Sequence, residues 1–115
     1  MIIDSHTHLF PPGFDGRRDR LADQDPTFAE MYRDPKAYMA VAEDLLAAMD
    51  RDGVDLSVVM GIGWTDLGLA RESNNYIAEV VARYPDRIVG FGSINPVVAG
   101  AIEEIERCVS LGLRG

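Results

Sequence analysis

Residues Val54–Gly63, VDLSVVMGIG, form a nearly unbroken β-favouring run in which Val54, Leu56, Val58, Val59, Met60 and Ile62 are interrupted only by Asp55 and Ser57 before the glycines. A strand with one wet face alternates apolar and polar side chains. A strand apolar at almost every position is covered on both faces, as in a parallel sheet. Gly61 and Gly63 loosen its end ahead of Trp64.

On its N-terminal side the run is preceded by a helical pattern over 34–53, DPKAYMAVAEDLLAAMDRDG. Asp34 is placed to cap that helix, Pro35 suits its first turn and Gly53 its stop. Met39, Ala42, Leu45, Leu46 and Met49 recur at helical spacing and form its core face. Farther back, IIDSHTHLF ends in Pro11-Pro12-Gly13 and gives a first strand. Between them, residues 10–34 are rich in Asp, Arg, Pro and Gly and read as a long loop, with Phe14, Phe28, Met31 and Tyr32 as anchors and a helical turn near PTFAEMYR. On the C-terminal side follow a helix over 65–85, a strand over 87–96 (RIVGFGSINP) and a helix over 97–112, with Ile102, Ile105 and Val109 expected to face inward. Strand followed by helix three times implies parallel strands joined by crossovers. The closing residues LRG resemble the approach to a fourth strand.

Functional groups in such folds gather at the carboxyl ends of the strands. Here those ends carry His6-Thr7-His8, Gly61-Ile62-Gly63-Trp64 and Ser93-Ile94-Asn95-Pro96. Strand alternation puts Asp4, His6 and His8 on one face, with the two imidazoles about 7 Å apart along the strand and able to converge on one ion. Asp4 is placed either to hydrogen-bond a ligand histidine or to meet backbone and solvent. Trp64 offers a ring for stacking on a planar substrate, or for packing under the long loop. Asn95 reads first as a helix cap and second as a substrate contact.

Composition narrows the classes. The chain has 115 residues, 47% hydrophobic and 26% charged, enough for one domain, with a net charge of −8. Lys36 is the sole lysine, and Arg17, Arg18 and Arg20 are interleaved with Asp15, Asp19, Asp23 and Asp25, so no basic surface for nucleic acid is expected. Cys108 has no second cysteine to pair with and reads as a small buried hydrophobe. Residues 1–10 show no basic start leading into a long apolar stretch, and no run approaches about twenty apolar residues; the expectation is a cytoplasmic protein with no membrane partner.

IIDSHTHLF resembles the first strand of the amidohydrolase superfamily, metal-dependent hydrolases and decarboxylases built on a (β/α)8 barrel. Residues 74–115, with their Asn pair, Tyr-Pro helix stop, Val-Gly-Phe-Gly strand and Ile-Glu-Arg-Cys helix, resemble the aminocarboxymuconate-semialdehyde decarboxylase-like branch. The resemblance implies that residues 1–115 are the first three βα units of a TIM barrel, incomplete as given, with 10–34 as the long loop after the first strand. It implies His6 and His8 as metal ligands of a divalent cation, zinc foremost, although imidazole also suits iron, nickel and copper. The family's remaining ligands and catalytic histidine lie on later strands, and this sequence has no third histidine.

A complete barrel takes about 250 residues. The expectation is therefore the N-terminal portion of an enzyme that hydrolyses or decarboxylates a small carboxylic acid, amide, ester or lactone, inactive by itself, with the remainder of the barrel or a second copy as partner. The alternative is a non-catalytic remnant that oligomerises through its open sheet and holds zinc at the interface with four histidines from two chains.

Overall fold

The computed structural model describes residues 1–115. Three strands, β1 (Ile3–His8), β2 (Leu56–Met60) and β3 (Ile88–Gly90), form one sheet in the order β1-β2-β3, and both pairings are parallel. With their helices they are βα units of a (β/α)8 barrel. Alongside β3, Arg114 donates its N–H to Gly90 O and Gly92 donates to Gly115 O, so the last residues continue the sheet by one short register.

The stretch after β1 is more ordered than its composition suggested. It holds a 3-10 turn (Asp15–Arg17) and two seven-residue helices, α1 (Arg18–Gln24) and α2 (Pro26–Tyr32). Two charged side chains fasten this insert. Buried Arg18 donates to Asp15 and to the carbonyls of Tyr32, Asp34 and Ala37. Buried Asp25 accepts the Phe28 N–H at the head of α2 through one oxygen, and those of Thr65 and Asp66 through the other. That second oxygen ties the insert to the turn after β2.

Helix α3 (Ala42–Asp52) begins seven residues later than a cap at Asp34 would place it. Asp34 instead accepts from Lys36 N–H in a local turn, while Asp44 accepts from Val41 N–H and Tyr76 Oη accepts from Ala42 N–H. Gly53 ends the helix at φ +72°, the left-handed conformation that favours glycine. Helix α4 (Leu67–Arg83) is capped by Asp66, which accepts from Leu69 N–H. Helix α5 (Ala101–Ser110) buries Ala101, Glu104 and Cys108. This corrects the expected inward face: Ile102, Ile105 and Val109 are 71%, 50% and 60% exposed.

The apolar interior has two parts. Beneath the helices, Leu9, Met49, Val59, Ile77, Val80, Ile88 and Leu113 pack on one side of the sheet. Beneath the insert, Phe10, Phe14, Phe28 and Trp64 form an aromatic cluster closed by Leu21, Ile62 and Leu69. The first part is tight at Gly90. A Cβ there would lie 2.6 Å from Val81 Cγ2, 2.7 Å from Leu113 Cδ2 and 2.8 Å from Ile77 Cγ2. Gly90→Ala is expected to destabilise by about 1–3 kcal/mol through overpacking, measured as a lower urea midpoint.

Candidate metal centre and adjoining cavity

Strand β1 is not a regular strand. Ile3 and Asp4 align with Leu56 and Ser57, but Thr7 and His8 align with Val59 and Met60, so β1 carries one extra residue between Asp4 and Thr7. Such a bulge re-aims the side chains beyond it. Ser57 and Met60 lie on opposite faces of β2, hence Asp4 and His8 lie on opposite faces of β1. The simple alternation that grouped Asp4 with the histidines fails at the bulge. The Asp4 carboxylate accepts from the His6 N–H at 3.2 Å and makes no hydrogen bond to either ring.

The two imidazoles do come together. Their Nε2 atoms are 3.0 Å apart, with ring centroids at 4.9 Å and planes crossing at 75°. His8 Nδ1 lies 3.0 Å from Gly61 O. A carbonyl only accepts, so Nδ1 carries the proton of neutral His8 and its Nε2 lone pair faces His6. Two nitrogens bound to one ion at about 2.1 Å stand about 3 Å apart when the angle at the ion is near 90°. The donor set therefore fits a divalent cation at two positions, and no group of three or more His, Cys, Asp or Glu side chains is assembled around it.

Both histidines line a cavity of about 580 Å³ at the carboxyl ends of the strands. Its walls are Met60, Gly61, Ile62 and Gly63 from β2 and the following turn, Gly92, Ser93 and Ile94 after β3, and Met31 from α2. Asn74, Glu104 and Cys108 form its floor on the helix side. Asn74 grips Ser93 at both ends of its amide, accepting from Ser93 N–H at 2.9 Å and donating to Ser93 O at 3.2 Å. Its Nδ2 also donates to Glu104 Oε1 at 3.0 Å. Burial raises the Glu104 pKa, but hydrogen bonds from Arg107, Asn74 and Arg71 outweigh it and hold the carboxyl at about 2. Next to it the Cys108 thiol is pushed up to about 11, by burial first and by the Glu104 charge second. A thiol held in that state is a packing group, not a nucleophile.

The Asn pair and Glu104, Arg107 and Cys108 of α5 thus belong to one network, since Arg107 also donates to Asn75 Oδ1 at 2.7 Å. Sequence patterns place these residues on two helices and give no sign that they meet. Trp64 lies outside the cavity wall, fully buried and stacked on Phe28 at 5.7 Å with planes 10° apart. Asn95 Oδ1 accepts from Val97 N–H at 3.1 Å, a local turn ahead of α5.

A βα-repeat chain with an open cavity and paired imidazoles at its strand carboxyl ends places these groups on the face where (β/α)8 barrels carry their sites. The chain belongs to the amidohydrolase family, whose family model matches residues 3–115. It is 28% identical to 2-amino-3-carboxymuconate-6-semialdehyde decarboxylase of Dictyostelium discoideum, covering 98% of this chain and 38% of that protein. The crystal structure of 5-carboxyvanillate decarboxylase from Sphingomonas paucimobilis superposes with a TM-score of 0.67 at 27% identity, over 99% of this chain and 41% of that one. A 5-carboxyvanillate decarboxylase from Novosphingobium aromaticivorans with bound manganese shares the fold, with a TM-score of 0.74 at 20% identity over 98% of this chain and 40% of that one. The chain spans about two fifths of the length of these relatives.

No helix is long and apolar enough to cross a membrane.

Proposed function

We propose that residues 1–115 form the first-strand half of the metal site of a divalent-metal-dependent decarboxylase acting on a small unsaturated or aromatic carboxylic acid. The observation that carries this reading is the 3.0 Å approach of His6 Nε2 and His8 Nε2, with His8 Nδ1 occupied by Gly61 O. Decarboxylation is favoured over hydrolysis because the 28% and 27% identical relatives are both decarboxylases. When bound, the cation would polarise the substrate carboxylate as a Lewis acid. Gly61 O fixes the tautomer and ring plane of His8, which keeps the lone pair aimed into the cavity. Asn74 holds the Ser93 backbone and so sets the position of the opposite wall. Two protein donors leave most of the coordination sphere to water, substrate and later barrel strands, so residues 1–115 alone are expected to bind metal weakly and turn over no substrate. Zinc and manganese are the leading candidates, zinc from the imidazole donors and manganese from the fold relative that contains it.

Calorimetric titration of the chain with Mn²⁺ and Zn²⁺ tests the assignment. His6→Ala and His8→Ala are each expected to weaken binding by at least about tenfold, the smallest effect of losing even a ligand's hydrogen-bond partner. Unchanged binding in both variants would remove the histidines from the site.

The exposed Ile102, Ile105 and Val109 on α5 favour a second reading, association with another copy or with further barrel elements. A dimer carrying about one zinc per two chains, by elemental analysis and mass, would support an interface site built from two histidine pairs.

A further inference from the structure

Helix α2 sends one side chain to the cavity that holds the histidine pair, Met31. The other large apolar groups of the insert turn inward: Phe14, Leu21 and Phe28 are fully buried, whereas Met31 is 49% exposed. Its mount is rigid. Asp25 caps α2, Thr27 Oγ1 lies 2.9 Å from Thr65 Oγ1, Arg18 holds the Tyr32 carbonyl, and the Tyr32 ring stacks on Phe28. A side chain left half in water on so fixed a helix presents a constant apolar surface to whatever enters beside it.

The rest of the cavity has a matching division. A Cβ at Gly63 would meet nothing within 4 Å, so a flat group can approach the backbone there, while Ile62 and Ile94 are apolar. The imidazoles supply one polar end, and Asn74 and the Glu104 carboxylate supply a polar floor. The Glu104 charge repels an acid group from the floor, so a planar unsaturated acid fits with its carboxylate towards His6 and His8 and its ring towards the thioether.

We propose that Met31 is a specificity-determining residue, the insert's contact with the ring of an unsaturated carboxylate whose acid end faces His6 and His8. This rests on the reading of that cavity as the substrate site. Thioether sulfur favours aromatic edges and the unbranched side chain adapts to them, so Met31 selects ring-bearing acids over aliphatic ones of the same charge.

The test uses the full chain and a chromophoric ring probe, 4-hydroxy-3-methoxy-5-nitrobenzoate, titrated with and without Mn²⁺. Quenching of Trp64, the single tryptophan, reports binding. Malonate, which carries carboxylates and no ring, competes for the acid-binding end alone. Met31→Ala is expected to weaken the nitrobenzoate about five- to tenfold and Met31→Leu about twofold or less, with malonate competition unchanged in both. Because Met31 is half exposed, the urea midpoint of each variant should match that of the parent. Equal nitrobenzoate affinity in parent and Met31→Ala overturns the proposal, as does equal weakening of nitrobenzoate and malonate, or no binding of the ring by the parent. Mn²⁺ binding is followed separately by its paramagnetic resonance. Failure there removes the metal reading, while the metal-free titration still decides for or against Met31.

Discussion

Trp64→Ala is expected to cost about 3–5 kcal/mol, the range for truncating a fully buried large aromatic and a large part of the roughly 5–15 kcal/mol available to a domain. Trp64 sits after β2, yet its ring touches residues of the insert, stacked on Phe28 at 5.7 Å and edge-on to Phe14 at 5.9 Å and Phe10 at 6.3 Å. Removing it opens a void among three aromatic rings that are themselves fixed by backbone hydrogen bonds, so collapse is incomplete. Trp64→Phe should cost much less, because the indole Nε1 has no hydrogen-bond partner to lose. Urea unfolding followed by far-ultraviolet circular dichroism measures both. A loss below about 1 kcal/mol for the alanine variant would mean that the cluster does not hold the insert in place.

Acidification supplies the second large effect, through Glu104. Its carboxyl falls from an unfolded value of 4.5 to about 2 in the fold. A depressed carboxyl stabilises the fold above the unfolded pKa, and that contribution is lost as pH falls from about 4.5 through about 2. The difference corresponds to roughly 3 kcal/mol for this buried group. Glu104→Gln should therefore be less stable than the parent at pH 7 and nearly as stable at pH 2, read from urea midpoints across that interval. Parallel curves for the two proteins would show that Arg71 and Arg107 lend the carboxylate no net stabilisation. The cost comes first from Arg107, which donates to both carboxylate oxygens, and then from Asn74, whose amide would lose its charged acceptor.

The strands were legible because their signal is local. Val54–Gly63 is apolar at nearly every position, and β3 repeats the pattern in Ile88-Val89-Gly90, whereas β1 shows itself by the short apolar run Ile2-Ile3 and the Pro11-Pro12-Gly13 break that follows it. His6 and His8 were legible for the same reason, a spacing of two residues at a strand end. What escaped depends on partners far along the chain. Helix α2 was legible as a turn near PTFAEMYR, but α1 is seven residues in an Asp-rich and Arg-rich stretch, too short to stand on propensity, and Arg18 and Asp25 secure the pair through tertiary hydrogen bonds. Glu104 looks like a solvent residue in sequence. It is buried because Asn74, Arg71 and Arg107 converge on it, which turns the apolar residues of α5 outward. The bulge in β1 leaves no mark in the sequence, and it separates Asp4 from the histidine face.

The two oxygens of Asp25 serve two different segments, one the head of α2 and the other the turn that leads from β2 into α4. The insert is therefore not a flap hinged at its ends. Local opening that lifts α2 must also break the hydrogen bonds to Thr65 and Asp66, so the wall carrying Met31 and the rim beyond Gly61 fluctuate as one cooperative unit. The width of the cavity mouth is set by that shared unit, and a ligand that tightens one side of it tightens the other.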